Sequence, residues 1–353
     1  MYSPYFQVAE TSQKGNDALV RLHLVPKHEL EARRADVARS PLLRPVPIEI
    51  SRNLLITQPS PGGVRKAADQ SGVFVYQSDP QRRHVDVWAA SPGPLLLEGV
   101  RVVRTVLVSL LVHERAHVPV HASCVALHGR AVMFTGSSGA GKTTLALAAM
   151  RRLGARFVTN DLVMLRVADD RVSETGRATV TAFGMPLPVR MAAGTLQNLG
   201  LLQHLDPYQE VFPFVDTPDW HERERKIEIG SHRVASWFGT TPQPSADLAC
   251  LVWPRVATGD VAGLTALPAR EVPGRLRAEI PDFDPAWPVW TGFGYPAPLP
   301  MPHAAVVSEE CAKADALELR GGRNVDAAID ALADFLESRA SAASASSADP
   351  EVA

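Results

Sequence analysis

The amino-acid sequence predicts an α/β protein that begins with a small β-rich domain. In the middle of the chain, residues 130–135 are mostly apolar and rich in strand formers, and they lead through a glycine-rich loop into residues 144–150, which favour a helix and contain no breaker. Nearer the N-terminus, short alternating runs at residues 73–76 and 84–88 are separated by turn-forming residues. The first pattern is typical of an α/β sheet, and the second is typical of short paired strands.

Patterns along the chain divide it into four predicted segments. Residues 1–92 form the β-rich N-terminal domain, and residues 93–118 form a connecting helix, because charged residues recur there at helical spacing among leucines and valines. Residues 119–337 form the α/β domain. Residues 338–353 are rich in serine and alanine, and we expect a disordered tail there.

Composition narrows the class of protein. Of the 353 residues, 46% are apolar and 21% are charged, which is ordinary for a folded, soluble protein. The net charge is −2 and basic residues are mixed with acidic ones, so nucleic acid is not an expected partner. We find no export signal and no membrane-spanning stretch. Cys124, Cys250 and Cys311 are far apart, which predicts buried, reduced thiols in a cytoplasmic protein.

The glycine-rich loop has the complete P-loop pattern, G-x-x-x-x-G-K-[ST]. Glycines allow the backbone amides to approach a phosphate chain, and the following helix presents free N–H groups to an anion. We therefore expect ATP as the ligand, with Lys142 on the outer phosphates and Thr143 on Mg²⁺. The residues expected to bind the nucleotide are Gly136, Ser137, Ser138, Gly139, Ala140, Gly141, Lys142, Thr143 and Thr144.

The neighbouring elements place a carboxylate near this loop. Residues 120–127 and 130–136 read as two strands joined by the two-residue link His128-Gly129, which predicts an antiparallel hairpin. After the loop helix, Gly154 marks a C-cap, and residues 155–158 return as a strand that ends at Asp161. Asp161 follows Lys142 by 19 residues, about one helix and one strand, so both can face one phosphate chain.

The rest of the α/β domain is predicted from shorter signals. We expect strands at residues 162–167, 172–174 and 179–183, with residues 168–171 as a turn, and a buried strand at residues 246–253. A terminal helix is expected at residues 324–336. Residues 281–302 contain too many prolines for regular structure, and a central proline argues against a strand at residues 211–216.

Asp161 and His121 are the candidate catalytic residues besides Lys142. Asp161 is positioned to accept a proton from a hydroxyl group and to serve as a second metal ligand beside Thr143, although a turn or helix-capping carboxylate is the simpler interpretation. His121 begins the strand before the P-loop strand, from which it can contact Asp161. A histidine among apolar neighbours is also common in protein cores.

Other polar groups have weaker signals. The sequence His113-Glu114-Arg115-Ala116-His117 matches the zinc motif HExxH, but Pro119 follows at once and no third ligand accompanies it, so we interpret it as a solvated helix end. Arg190 and Arg255 follow apolar segments and are candidates for charge neutralisation at a phosphate. The charged residues 221–226 are either an acceptor-binding loop or a solvated face.

Three of these features together resemble the catalytic domain of HPr kinase/phosphorylase and the wider group of HPr-kinase-like proteins found beside peptide-modifying genes. In that family a histidine begins the strand pair 21 residues before the P-loop lysine, the separation between His121 and Lys142. An aspartate pair closes the next strand, and its second member accepts the proton from serine. Asp161 matches that second member, while Asn160 replaces the first.

The resemblance is clear over residues 117–167 and diffuse from there to about residue 337. Residues 183–190 are similar to a proline-rich segment of the HPr-kinase-like group. The glycine-rich signature of the bifunctional enzyme, with its magnesium-binding glutamate, is not evident, so the resemblance does not extend to phosphorylase activity or to HPr as the acceptor. It implies a kinase domain of the HPr kinase C-terminal type and a possible homo-oligomer.

The predicted function is ATP-dependent transfer of the γ-phosphoryl group to a hydroxyl group, with serine of a peptide or small protein as the expected acceptor. A kinase of a small hydroxylated metabolite or free amino acid would use the same residues. A protein that binds ATP as a sensor and catalyses no transfer is a third possibility. The sequence does not locate the acceptor pocket that distinguishes the first two.

Overall fold

The structure is a computed structural model that describes residues 19–42, 46–49, 52–172, 178–185, 188–208, 226–256, 262–281, 303–321 and 324–347. These residues form a mixed α/β protein with several sheets. They divide into two compact units. Residues 19–117 belong to the first unit, and the described residues from 118 onward belong to the second.

The first unit is a six-stranded sheet with a helix on each face. Its strands follow the order β1-β6-β5-β4-β3-β2, in which β2 to β6 form an antiparallel meander and β1 pairs in parallel with β6. The elements are β1 (Leu19–Leu24), α1 (Lys27–Arg39), β2 (Val46–Glu49), β3 (Arg52–Ile56), β4 (Arg65–Asp69), β5 (Phe74–Asp79), β6 (His84–Ala89) and α2 (Pro92–Arg115).

Successive residues of each strand point to opposite faces of the sheet, and one helix packs on each face. Leu30 and Val37 of α1 pack on one face of the sheet, beside Trp88. Leu95 and Val102 of α2 pack on the other. The region expected to be β-rich also contains α1, a helix that the sequence patterns do not predict. The helix expected to serve as a connection is part of the core of this unit.

The second unit contains the predicted loop and its neighbours. Its elements are β7 (Val118–Val120), β8 (Ala122–Leu127), β9 (Arg130–Thr135), α3 (Lys142–Leu153), β10 (Arg156–Thr159), β11 (Val163–Val172), β12 (Ala178–Gly184), β13 (Val189–Ala192), α4 (Ala193–Asn198), β14 (Lys226–Ile229), α5 (Ser231–Trp237), β15 (Ser245–Val256), β16 (Gly263–Ala266), α6 (Val272–Ala278), α7 (Ala304–Cys311), β17 (Asp315–Gly321) and α8 (Val325–Ser347). Short 3₁₀ turns lie at Leu202–Tyr208 and Ala269–Glu271.

A mixed sheet organises this unit. Its strand order is β10-β8-β9-β15-β12-β11-β7, with β17 also beside β15 and β16 beside β17. Strand β15 runs parallel to β9 and β17, while the other pairs are antiparallel. Helices α3 and α8 pack on one face and α6 and α7 on the other. The two-stranded ribbon β13–β14 contributes to the core that contains α3.

Several local predictions are confirmed. Strands β8 and β9 form the expected antiparallel hairpin, and both His128 and Gly129 have positive φ, 49° and 80°, as a two-residue link of this kind requires. Gly154 ends α3 with φ 65°. The three cysteines, Cys124, Cys250 and Cys311, are free and buried, and burial raises the pKa of each thiol.

Other boundaries differ from the predictions. Val120 belongs to β7, which pairs with β11 rather than with β9. Residues 168–171 are not a turn, because β11 continues through them to Val172. Helix α8 runs from Val325 to Ser347, through much of the predicted disordered tail, which agrees with the high helix propensity of its alanines. Residues 211–216, 221–225 and 282–302 lie outside the described residues.

No helix among the described residues is long and apolar enough to span a membrane.

Gly184 gives a stability prediction. A Cβ atom at Gly184 would collide with the backbone oxygen of Val158, so Gly184→Ala must displace either β12 or the segment that leads to Asp161. We expect the free energy of unfolding to fall by about 1–3 kcal/mol in urea titrations. Gly263→Ala, on β16 with no atom within 4 Å of the added Cβ, is the control and should cost less. Equal effects of the two substitutions would contradict the steric argument.

Candidate functional site

The glycine loop joins the carboxyl end of β9 to the first turn of α3. Strand β9 ends at Thr135, and α3 begins at Lys142 after Gly141, which adopts a left-handed conformation with φ 93°. Gly139 also has positive φ, 78°, in a loop whose tip is exposed. Only glycine adopts such conformations without a steric cost, so the pattern fits the loop's shape. The order strand, loop, helix is the one that the sequence predicts.

Lys142 lies against the inside of this loop. Its ammonium group donates hydrogen bonds to the backbone oxygens of Gly136 at 2.6 Å and Ser137 at 3.0 Å. The residue is only 8% exposed, so these bonds offset part of the cost of burying the charge. The lysine is thereby held at the mouth of the loop, beside the first turn of α3, where free N–H groups favour an anion.

Asn160 connects the loop helix to two other segments. Its side-chain oxygen accepts hydrogen bonds from the hydroxyl groups of Thr143, at 2.8 Å, and Ser123, at 2.7 Å. Its side-chain nitrogen donates to the backbone oxygen of Arg190 at 3.2 Å. Asn160 is 4% exposed. One buried carboxamide therefore fixes α3, β8 and β13 relative to one another.

Asp161 follows Asn160 in an uncommon backbone conformation, with φ 72°. The Nδ1 atom of His121 lies 3.0 Å from the backbone oxygen of Asp161 and 3.5 Å from its carboxylate Oδ1. The backbone N–H of His121 donates to the carbonyl of Glu279 at 2.8 Å. His121 lies between β7 and β8 and therefore has a fixed main chain from which its ring reaches Asp161.

Arg190 approaches Asp161 from the ribbon. Its Nη1 atom is 3.8 Å from Oδ2 of Asp161, and its Nε atom is 3.1 Å from Oε1 of Glu228, the residue directly opposite on β14. The side chains of Arg190 and Asp161 are 42% and 26% exposed. Arg190 therefore lies between two carboxylates.

Lys142, Asn160, Asp161, His121 and Arg190 line one cavity of ≈ 210 Å³. Thr144 and Thr195 complete its wall, and their hydroxyl groups lie 3.0 Å apart. Of the predicted residues, the cavity is lined by His121, Ser138, Gly139, Ala140, Gly141, Lys142, Thr143, Thr144, Asp161 and Arg190. Asp161, the cations Lys142 and Arg190, and the N-terminus of α3 thus border one small cavity. This arrangement is suited to binding an anion beside a carboxylate that can accept a proton.

Other predicted residues lie elsewhere or form different structures. Arg255 is the penultimate residue of β15 and pairs with Glu318 at 3.6 Å, and it is not among the residues that line the cavity. Helix α2 ends at Arg115, and Ala116 is left-handed with φ 54°, so the HExxH histidines do not lie on consecutive turns of one helix. Burial lowers the pKa of His113. Within the described residues, no group of three or more His, Cys, Asp or Glu side chains is placed to hold a metal ion.

Several of the site's contacts are not predicted from the sequence. Asn160 is predicted only as the residue that replaces the first aspartate of the family pattern, and Ser123, Thr195 and Glu228 are not among the predicted site residues. Glu228 lies two positions beyond the charged run at residues 221–226. Apolar Ile227 and Ile229 flank it, and this alternation is the sequence signal that indicates a strand with Glu228 on its outer face.

The fold and the site together define a mixed α/β protein with a glycine loop at the end of a strand and an acidic side chain in the adjoining cavity. No family model matches the sequence, and no curated protein matches it significantly. The structure resembles one described as "Structure of the Hpr(Ser) kinase/phosphatase from Coxiella burnetii", with 10% identity over 65% of this chain and 95% of that chain. The TM-score is 0.31, too low for the likeness to support a functional argument.

The carboxamide of Asn160 gives a second prediction. In Asn160→Asp, the new carboxylate cannot donate to the Arg190 carbonyl and instead repels it, so we expect the free energy of unfolding to fall by about 1–3 kcal/mol in urea titrations. The control is Asn324→Asp, where the side-chain oxygen that accepts from Ala327 N–H at the start of α8 is retained. A loss no larger than that of the control would show that the donated bond is unimportant.

Proposed function

We propose that this protein is an ATP-dependent kinase that transfers the γ-phosphoryl group to a hydroxyl group. The observation that carries the proposal is the shared cavity, in which the glycine loop and Lys142 face the same volume as the carboxylate of Asp161. Phosphoryl transfer requires a cradle for the phosphates and a group that orients or deprotonates the acceptor. In this site both parts come from adjacent elements of one unit.

The proposed reaction assigns one role to each group. The acceptor oxygen forms a bond to the γ-phosphorus, the bond from that phosphorus to the bridging oxygen of ADP breaks, and the acceptor's proton passes to the Asp161 carboxylate. Lys142 and the loop amides hold the phosphates. His121 positions Asp161 through the contact to its backbone oxygen.

The residues present also fit Mg²⁺. This ion commonly takes one or two protein oxygens, with phosphate oxygens and water as its remaining ligands. The Thr143 hydroxyl group donates a hydrogen bond to Asn160, which leaves its own oxygen lone pairs available, and Asp161 lines the same cavity. Bound there, the ion would neutralise phosphate charge, with Thr143 and Asp161 as the protein ligands.

Serine of a peptide or small protein is the proposed acceptor. The choice rests on the match of His121, the P-loop and Asp161 to the HPr-kinase-like pattern. Incubation of the protein with γ-labelled ATP and a panel of seryl peptides, free serine and other hydroxylated metabolites tests it. Label in a peptide supports the proposal, whereas label only in a small molecule identifies a metabolite kinase. Binding of Mg·ATP without label in any acceptor would identify a sensor.

Replacement of the proposed proton acceptor separates binding from transfer. We expect Asp161→Asn to reduce kcat by about 10²–10⁴-fold, because an amide cannot take the acceptor's proton, while ATP affinity changes little. Labelled-phosphoryl transfer and calorimetric ATP titration measure the two quantities. Asp330→Asn, an exposed aspartate on α8, is the control. Normal turnover by Asp161→Asn would rule out this mechanism.

Replacement of the loop lysine tests the cradle. We expect Lys142→Met to weaken Mg·ATP binding by about 10–100-fold, because one charge-assisted interaction with the phosphates is lost. Calorimetry measures the affinity, and circular dichroism checks that the variant is folded. Lys313→Met, at an exposed lysine paired with Glu310, should bind as the wild type does. Unchanged affinity in folded Lys142→Met protein would place the nucleotide elsewhere.

A further inference from the structure

Arg190 is held more firmly than a typical exposed arginine. Its neighbours Val189 and Met191 are 0% and 1% exposed, and Ile227 and Ile229 anchor the opposite strand in the same core. Residues alternate along a strand, so Arg190 and its register partner Glu228 both project from the outer face of this ribbon. The ribbon therefore presents Arg190 from a packed base.

Three contacts determine where Arg190 lies. Asn160, which also binds Thr143, holds its backbone oxygen, and Glu228 lies 3.1 Å from its Nε atom. The third contact, to Asp161, is longer, at 3.8 Å. A guanidinium group has five N–H donors in a planar arrangement, more than these two carboxylate contacts require. The side chain that carries it lines the cavity.

The positions of the charges indicate what this cation is for. The proposed reaction brings a negatively charged phosphoryl group next to the negatively charged Asp161. The ammonium group of Lys142 is held against the loop by the carbonyls of Gly136 and Ser137. A cation beside Asp161 is needed where the phosphoryl group meets the acceptor, and Arg190 is the arginine that lines the cavity there.

We propose that Arg190 is a further catalytic residue, whose guanidinium contacts the equatorial oxygens of the phosphoryl group during transfer, and that Glu228 positions it. This inference rests on the proposed function. The bonds made and broken are those of the proposed reaction, and Arg190 exchanges no proton. It stabilises the negative charge on the phosphoryl oxygens, which arginine does well because its planar group offers paired donors.

A merely structural ion pair is the alternative explanation. Exposed pairs of this kind contribute little to stability, and the chain offers a matched example in Arg152 and Asp330. The side chains of that pair are 44% and 45% exposed, against 42% and 49% for Arg190 and Glu228. Arg152 lies ten residues beyond Lys142 on α3, about 15 Å along the helix axis, so it serves as a control outside the cavity.

A transition-state analogue tests the proposal without knowledge of the acceptor. Calorimetry measures the affinity of the full-length protein for Mg·ADP with and without aluminium fluoride, which imitates the transferring phosphoryl group. In the wild type we expect aluminium fluoride to tighten ADP binding. Arg190→Ala should reduce this tightening by about 100-fold or more and leave the affinity for ADP alone within about 3-fold. Arg190→Lys should recover part of it, because charge is retained without the paired donors.

The controls separate the two proposals. Arg152→Ala should behave as the wild type does. If Arg190→Ala keeps the full tightening, or if the wild type binds Mg·ADP but shows none, Arg190 does not contact the phosphoryl group. If the wild type does not bind Mg·ADP, the proposed function fails and this inference fails with it.

Glu228 has its own test as a positioning residue. Glu228→Ala should reduce the tightening by about 10-fold without changing the affinity for ADP alone, and Glu228→Gln should restore most of it, because its amide oxygen still accepts from Nε of Arg190. The matched control is Asp330→Ala. Equal tightening in Glu228→Ala and the wild type would show that Arg190 needs no support from Glu228.

Discussion

The site depends on one buried carboxamide that joins three segments distant in the sequence. The side-chain oxygen of Asn160 accepts hydrogen bonds from the hydroxyl groups of Ser123 and Thr143, and its nitrogen donates one to the carbonyl of Arg190. A carboxylate could accept the first two hydrogen bonds but could not donate the third, while an aliphatic side chain would leave buried polar groups unpaired. Asparagine is therefore suited to this position by its chemistry. Because Asp161 follows it directly, the same contacts fix the start of α3 relative to the proposed proton acceptor.

The backbone conformation of Asp161 is energetically unfavourable. A residue with a side chain at φ 72° is disfavoured by about 1–2 kcal/mol, and such conformations persist where surrounding contacts determine them. Here the hydroxyl group of Thr159 donates to the carbonyl of Leu162 and accepts from the N–H of Met185, which closes the turn around Asp161. His121 contacts the Asp161 carbonyl from the other side. The strain lies at the residue whose carboxylate must face the cavity.

Local signals were enough to predict the centre of this unit. Glycines at Gly139 and Gly141, an apolar strand before them and a helix after them specify a strand–loop–helix structure, and the two-residue link specifies the hairpin. The partners of Asn160 could not be predicted, because they are 37, 17 and 30 residues away and meet only through the order of the strands. The ribbon that carries Arg190 and Glu228 was missed for the same reason. The predicted terminal helix ends at residue 336, whereas α8 continues to Ser347. A serine- and alanine-rich composition is compatible with both a helix and disorder, so the sequence does not determine where the helix ends.

Charge balance explains why the proposed kinase needs a second cation beside Asp161. Two like charges about 4 Å apart repel by about 4 kcal/mol at an effective dielectric constant near 20, so a carboxylate close to a transferring phosphoryl group opposes its approach. The backbone carbonyls of Gly136 and Ser137 hold the ammonium group of Lys142 against the loop, where the proposal assigns it to the phosphates. Arg190 lies between Glu228 and Asp161 on a strand anchored in the core, and in the proposal it offsets the charge of Asp161.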